Sequence, residues 1–176
     1  FIEPGPPSED AIELSRVSDR GIRESGMIDL SQLVIRKGED VFAVFIDVAI
    51  INEDGNLFDA CSYAIAAALH GATMPTYKIE NDKVVILEEV KPLPILSLPI
   101  STTFVKIGDK ILLDPNAEEQ TMCEARLTLV TDDKGNYVSA QKGKAGGFSF
   151  KEFNKMIEIS KKKGEEIRKK IIKSDK

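Results

Sequence analysis

The sequence predicts an α+β fold, because helical periodicity marks both ends of the chain and short strand-like segments with turn residues lie between them. A third observation is an alanine-rich helical segment in the first half. The 176 residues, 42% hydrophobic and 30% charged, suffice for a buried core in one domain or in two closely joined halves.

The first predicted helix runs from about Glu9 to Ser25. Ser8 is its expected N-cap, and Glu9 and Asp10 follow in the first turn, where the helix dipole favours negative charge.

Three arginines define one side of this helix. At 100° per residue, Arg16, Arg20 and Arg23 fall within an arc of roughly 60°. The residues expected to pack lie across the axis: Ala11, Leu14, Ser15, Ser18 and Ile22. Cations grouped on one face are more informative on a chain with net charge −5, and this face can hold an anion.

Ordinary surface ion pairs are the alternative interpretation of this face. Glu13 precedes Arg16 by three residues and Asp19 precedes Arg23 by four, spacings at which pairs are worth about 0.3–0.5 kcal/mol. Arg20 has Arg16 four residues before it and Arg23 three residues after it, and such like charges repel it unless an anion or a partner chain lies between them.

An apolar, β-branched run at Val41–Ile51 predicts a strand covered on both faces, ended by a turn at Asp54-Gly55. The next segment, Phe58–His70, predicts a buried helix with Gly71 as its C-terminal cap.

Two short strands are expected at about 76–80 and 84–88, with Asn81-Asp82 as their turn. The prolines of the segment 91–94 predict a joint between a first half, residues 1–94, and a second half, residues 95–176. Four further strands should form an antiparallel sheet: Leu98–Ile107, Lys110–Leu113, Glu124–Thr131 and Asn136–Gln141.

The final helix has the clearest start signal. Ser149 and Glu152 form a predicted capping box, Phe148 and Phe153 a hydrophobic staple, and the helix should continue to about Lys173.

The sequence offers few residues for nucleophilic catalysis or metal binding. Cys61 and Cys123 lack metal-ligand spacing, which favours reduced core thiols of a cytoplasmic protein, with no metal site. No apolar run reaches the ~18–20 residues of a membrane span, so no membrane partner is expected. His70 ends a helix, where a dipole partner is favoured over a general base.

Two further segments carry open alternatives. Asp47 is either a hydrogen-bonded core carboxylate or a perturbed catalytic one. The glycines and lysines of the segment 142–147 favour a basic strand end over a phosphate cradle, because no Gly-Lys-Ser/Thr opens the following helix.

Three stretches, EPGPPSEDAIELSRVSDRGIRES, DGNLFDACSYAIAAAL and LLDPNAEEQTMCEARLTLVT, resemble the non-catalytic RNase PH-like subunits of the archaeal exosome. The resemblance covers essentially the whole chain. It implies an RNase PH-like fold, with a first half like ribosomal protein S5 domain 2 and a second half of antiparallel sheet plus helices. It also implies that the family's amino-terminal strands precede this sequence.

The resemblance further implies the partners. In that family, catalytic and non-catalytic subunits form three heterodimers in a hexameric ring, which carries RNA-binding cap subunits and degrades single-stranded RNA from its 3′ end with inorganic phosphate as the nucleophile. No cofactor is expected.

Two departures from the active members imply that this chain is non-catalytic. Active members have Asp-Gly-Gly-Thr-Arg for phosphate binding, where this chain keeps Asp54-Gly55 but has Phe58 at the arginine position. Ala125 replaces the catalytic acid, although Glu119 and Glu124 are near in sequence.

The family's Arg-x-x-x-Arg-x-x-Arg helix holds the RNA backbone, which implies RNA-binding roles for Arg16, Arg20 and Arg23. Two alternatives remain open. One is a self-sufficient phosphorolytic 3′-5′ exoribonuclease or nucleotidyltransferase that uses Glu119 or Glu124, and the other is a ring scaffold without RNA contact.

Overall fold

A computed structural model describes residues 6–174 and confirms the α+β class. The elements in chain order are α1 (Glu9–Glu24), β1 (Val34–Arg36), β2 (Asp40–Val41), α2 (Leu57–His70), β3 (Thr73–Glu80), β4 (Lys83–Pro92), β5 (Ile100–Ile107), β6 (Lys110–Leu113), α3 (Ala117–Met122), β7 (Ala125–Thr131), β8 (Tyr137–Gly143) and α4 (Phe150–Ser174). A 3-10 turn, Leu30–Leu33, precedes β1.

The centre of the molecule is a four-stranded antiparallel sheet with the order β6-β5-β7-β8, as the second half of the sequence predicts. Every residue of β7 is buried, because helices cover both faces of the sheet. Arg126 and Val130 face α1, whereas Leu127 and Leu129 pack with Met156 of α4. The helix α1 therefore lies on the opposite face of the sheet from α4.

The predicted caps and turns are confirmed where local chemistry defines them. Ser8 Oγ accepts a hydrogen bond from the Ala11 amide at 3.2 Å, which caps α1. Gly71 ends α2. The hairpin of β3 and β4 turns at Asn81 and Asp82, whose φ angles of 48° and 62° are those of a tight hairpin turn.

The predicted buried strand at Val41–Ile51 is wrong in this structure. Only Asp40–Val41 forms a strand, and the following residues up to 53 have no regular secondary structure. Phe45 is 87% exposed and Ile51 97%. A strand forms only when a neighbour pairs with its backbone groups, and within residues 6–174 the sheets include no strand that pairs with residues beyond Val41, although the Phe42 amide donates to the Leu33 carbonyl oxygen at 2.8 Å. The apolar sequence is therefore an exposed surface here.

The capping box of α4 is confirmed. Glu152 Oε2 accepts from the Ser149 amide at 2.6 Å, and Ser149 Oγ accepts from the Glu152 amide at 3.3 Å. Lys106 Nζ of β5 also lies 2.9 Å from Glu152 Oε1. The backbone hydrogen bond from Ser149, followed by the Lys106 ammonium, lowers the pKa of Glu152 from its ordinary value to about 2.

A pH-dependent stability follows from this lowered pKa. The contribution of the Glu152 charge is fully present above the ordinary glutamate pKa, near 4.5, and is lost as the pH falls towards 2. We expect Glu152→Gln to lower the melting temperature at pH 6 and to melt together with the wild type near pH 2. Glu158→Gln, at an exposed position of the same helix, is the control. A Glu152→Gln deficit that stays constant from pH 6 to pH 2 would contradict this origin.

Candidate nucleic-acid interface

The three arginines of α1 are all exposed, as the helical spacing predicts. The buried side of the helix is formed by Val17 and Gly21. A Cβ on Gly21 would lie 3.7 Å from Val130, so the helix backbone packs closely on the sheet.

The predicted packing face is only partly correct. Leu14, Ser18 and Ile22 are half-buried, but Ala11 and Ser15 are exposed and line an open cleft that faces the exposed apolar segment 44–50. The buried stripe is rotated relative to the prediction because the sheet contacts the Val17 side of the helix.

The acidic neighbours of the arginines behave differently from one another. Asp19 Oδ1 lies 2.7 Å from Arg23 Nε, and this hydrogen bond raises the pKa of Arg23. Glu13 does not pair with Arg16, because its Oε1 accepts from Arg126 Nη2 at 2.6 Å across the fold. Over residues 6–174, Arg16 and Arg20 make no ion pair. The ion-pair interpretation therefore holds for Arg23 alone.

A cleft of about 400 Å³ runs between α1 and β8 beside these two arginines. Its lining residues are Ile12, Glu13, Arg16, Val17, Arg20 and Gln141. Unpaired guanidinium groups at a surface cleft are suited to binding phosphate oxygens, which need several donors in a fixed geometry.

The turn at Asp54-Gly55 is packed against the segment that leads into α3. Gly55 has a φ of 85°, and a Cβ there would lie 2.5 Å from the Asn116 carbonyl carbon. Asn56 follows with a φ of 47°, and its amide donates to Gln120 Oε1 at 3.0 Å. At the position where the resemblance placed phosphate binding, the turn is therefore packed against the segment before α3, and its Asn56 amide is already hydrogen-bonded to Gln120.

A buried carboxylate, Asp59, holds the start of α2 on β5, and the sequence analysis missed it. Its oxygens accept from Ser101 Oγ at 2.7 Å, from the Thr103 amide at 2.8 Å and Thr103 Oγ1 at 2.9 Å, and from Asn56 Nδ2 at 2.9 Å. Burial raises the pKa of Asp59, and the four hydrogen bonds oppose that shift. The available signal was a single charged residue within an otherwise apolar helical segment.

Phe58 lies under a guanidinium group that is already neutralised. The Arg126 Cζ is 4.3 Å from the centroid of the Phe58 ring, a cation–π contact, and the same guanidinium binds Glu13. Phe58 carries no charge, and the positive charge of Arg126 is already neutralised by Glu13.

The candidate catalytic acids, Glu119 and Glu124, form structural hydrogen bonds. Ala125 is completely buried at the start of β7. Glu119 forms a capping box with Asn116, and Glu124 Oε1 accepts from the Gly108 amide at 3.2 Å. Both carboxylates therefore have structural partners.

The remaining candidates give no chemical site. Asp47 is exposed, so both predictions of a buried carboxylate are wrong. Lys144 Nζ donates to the carbonyl oxygens of Gln120 and Thr121 at 2.6 and 3.1 Å, which ties the basic loop to the end of α3. Cys61 and Cys123 are buried free thiols, as predicted.

The described part of the chain, residues 6–174, shows neither a metal-binding cluster nor a membrane-spanning helix. It holds no group of three or more His, Cys, Asp or Glu residues placed to bind a metal ion. None of its helices combines the length and apolarity needed to cross a bilayer.

The fold is an antiparallel sheet with the arginine-bearing helix α1 on one face and the long helix α4 on the other. Family models described as 3′ exoribonuclease family domain 1 and domain 2 match residues 1–75 and 97–163. The chain belongs to this family, the RNase PH family.

Curated relatives extend this comparison. The chain is 47% identical to the exosome complex component Rrp42 of Thermococcus kodakarensis over 98% of its length, and 47% identical to that of Pyrococcus horikoshii over 97%. It spans 64% and 63% of the length of these two relatives.

Solved structures give the same family. A chain of the Archaeoglobus fulgidus exosome with RNA bound to the active site superposes with a TM-score of 0.84 and 39% identity, over 97% of this chain and 65% of that one. Rice Rrp46 superposes with a TM-score of 0.64 over 97% of this chain and 68% of that one, but at 14% identity this likeness concerns the fold alone.

Proposed function

We propose that this protein is a non-catalytic subunit of an RNA-degrading exosome ring, where it holds RNA and completes the active site of a catalytic RNase PH-like partner. The observation that carries the proposal is that Arg16 and Arg20 are exposed on α1 beside an open cleft and make no ion pair within residues 6–174. Phosphate contacts of this kind position a single strand without reading its sequence.

The absence of catalysis is supported by two separate features. Phe58 occupies the arginine position and contacts a guanidinium that is paired with Glu13. Ala125 occupies the acid position, and an alkyl side chain transfers no proton. Loss of both the anion site and the acid removes the two requirements of phosphorolysis.

The proposed partners are those of the relatives. We propose three heterodimers with the catalytic subunit in a hexameric ring, RNA-binding cap subunits and single-stranded RNA. The relatives named exosome complex component Rrp42 and the superposed exosome with bound RNA support this assembly. A cytoplasmic location agrees with the buried free thiols, since reduced thiols are typical of that compartment. The division into halves 1–94 and 95–176 is part of the same proposal.

A phosphorolysis assay tests the catalytic part of the proposal. We expect the full-length protein alone to release no nucleoside diphosphates from RNA in phosphate buffer, because Phe58 and Ala125 stand at the positions of the phosphate-binding arginine and the catalytic acid of active members. The assay follows the labelled RNA and the nucleoside diphosphate product. Phosphate-dependent shortening by a preparation free of the catalytic subunit would favour the exoribonuclease alternative.

A further inference from the structure

The carboxylate of Glu13 is close enough in sequence to neutralise Arg16 on the proposed RNA-binding face of α1, but another residue holds it away. Glu13 stands three residues before Arg16 on the same helix, a spacing that favours an ion pair, and both residues line the α1–β8 cleft. In the structure Glu13 Oε1 instead accepts from Arg126 Nη2 at 2.6 Å and from Gln141 Nε2 at 3.3 Å.

Arg126 is itself fixed by its surroundings. The residue is only 7% exposed, and its guanidinium lies on the Phe58 ring. Gly143 leaves the space for it, since a Cβ at that position would come within 2.5 Å of Arg126 Nη2. Among the described residues, Glu13 is the hydrogen-bond partner of the Arg126 side chain, and Arg126 Nε is left without one.

The ion pair between Arg126 and Glu13 changes which charges on α1 remain without a partner. Asp19 neutralises Arg23, and Arg126 neutralises Glu13. Arg16 and Arg20 are left with their full positive charge on the exposed face. Without Arg126, Glu13 would keep only the 3.3 Å hydrogen bond from Gln141 and would lack a counter-ion one helical turn from Arg16. A partly buried carboxylate without a counter-ion turns to the nearest available cation.

We propose that Arg126 is a positioning residue for RNA binding: by holding Glu13 on the sheet side of α1, it keeps Arg16 available to an RNA phosphate. This inference rests on the proposed function and adds a group that does not contact RNA. Phe58, at the position of the phosphate-binding arginine of active members, contributes by providing the surface on which Arg126 lies.

A double-mutant cycle between Arg126 and Arg16 tests the inference. Binding of a labelled oligoadenylate to the full-length protein is measured by fluorescence anisotropy across a salt series. We expect Arg126→Met to weaken binding several-fold and to reduce the log–log salt slope by about 0.7, the value of one single-strand phosphate contact. Arg16→Ala should weaken binding in the wild type but add little in the Arg126→Met background, because Arg16 is then already neutralised. Arg126→Met with Glu13→Gln should recover the wild-type affinity.

Arg168→Met is the matched control for loss of a buried positive charge. Arg168 is 6% exposed and donates to the Leu98 and Thr131 carbonyl oxygens on the α4 side of the sheet. We expect RNA affinity to stay unchanged in this variant. Gly143→Ala provides a second perturbation, which displaces the Arg126 guanidinium without removing its charge and should also weaken binding.

Several outcomes separate this inference from the proposed function. Additive effects of Arg126→Met and Arg16→Ala, or a failure of Glu13→Gln to restore binding, would overturn the positioning role. If Arg126→Met does not fold, unchanged binding by Gly143→Ala would overturn it instead. Wild-type binding by the Arg16→Ala/Arg20→Ala protein would overturn the proposed function itself, whatever Arg126→Met does.

Discussion

Replacing Arg16 and Arg20 together by alanine is expected to weaken single-stranded RNA binding about ten-fold or more at low salt, a change of one decade in Kd. Both guanidinium groups are exposed and make no ion pair within residues 6–174, so under the proposed function their charge is available to the RNA backbone. Two lost phosphate contacts should also reduce the log–log salt slope by about 1.4. The loss should be similar for every RNA sequence, because phosphate contacts carry no base information.

Arg23→Ala is the matched control for this pair. Arg23 lies on the same helix and is equally exposed, but its guanidinium is bound by Asp19 at 2.7 Å. We expect a smaller loss of affinity and a smaller change in salt slope. Assembly should persist in both variants, since these side chains point away from the sheet. A double variant that assembles and binds RNA with unchanged affinity and slope would favour the scaffold alternative.

Asp59→Ala is expected to cause the largest loss of stability, about 3 kcal/mol or more, because it leaves several buried donors without an acceptor. Asp59 is 3% exposed and accepts four hydrogen bonds from Asn56, Ser101 and Thr103. Its loss removes the polar contacts between the start of α2 and β5. Urea unfolding monitored by circular dichroism measures the change.

Asp54→Ala, five residues earlier, is the control for Asp59→Ala. Asp54 is exposed and accepts one long hydrogen bond, 3.4 Å, from the Ala117 amide. We expect it to lower the free energy of unfolding by less than about 1 kcal/mol. Equal losses from the two substitutions would contradict the role assigned to the buried carboxylate.

Local signals predicted most of the fold. The starts of α1 and α4 follow from capping residues whose hydrogen bonds are local, and the sheet strands follow from turns and alternation. The short helix α3 was missed, although Asn116 and Glu119 have the spacing of a capping box. The apolar run Val41–Ile51 failed for a different reason, since strand formation depends on a neighbour that sequence patterning does not provide.

The candidate site was predicted less completely. Helical spacing placed Arg16, Arg20 and Arg23 on one exposed face. It did not show that Glu13 pairs with Arg126, because these residues are 113 positions apart and periodicity gives faces rather than tertiary partners. The structure was therefore needed to show that Glu13 leaves Arg16 without an ion pair within residues 6–174.

Phosphate-dependent RNA shortening, compared for this full-length protein, its catalytic partner and their mixture, tests the proposed role most directly. We expect no nucleoside diphosphate from this protein alone and faster release from the mixture than from the partner alone. The gain should shrink when the added protein carries Arg16→Ala and Arg20→Ala. Nucleoside diphosphate release by this protein alone, or a partner rate unchanged by its addition, would contradict a non-catalytic subunit that holds RNA.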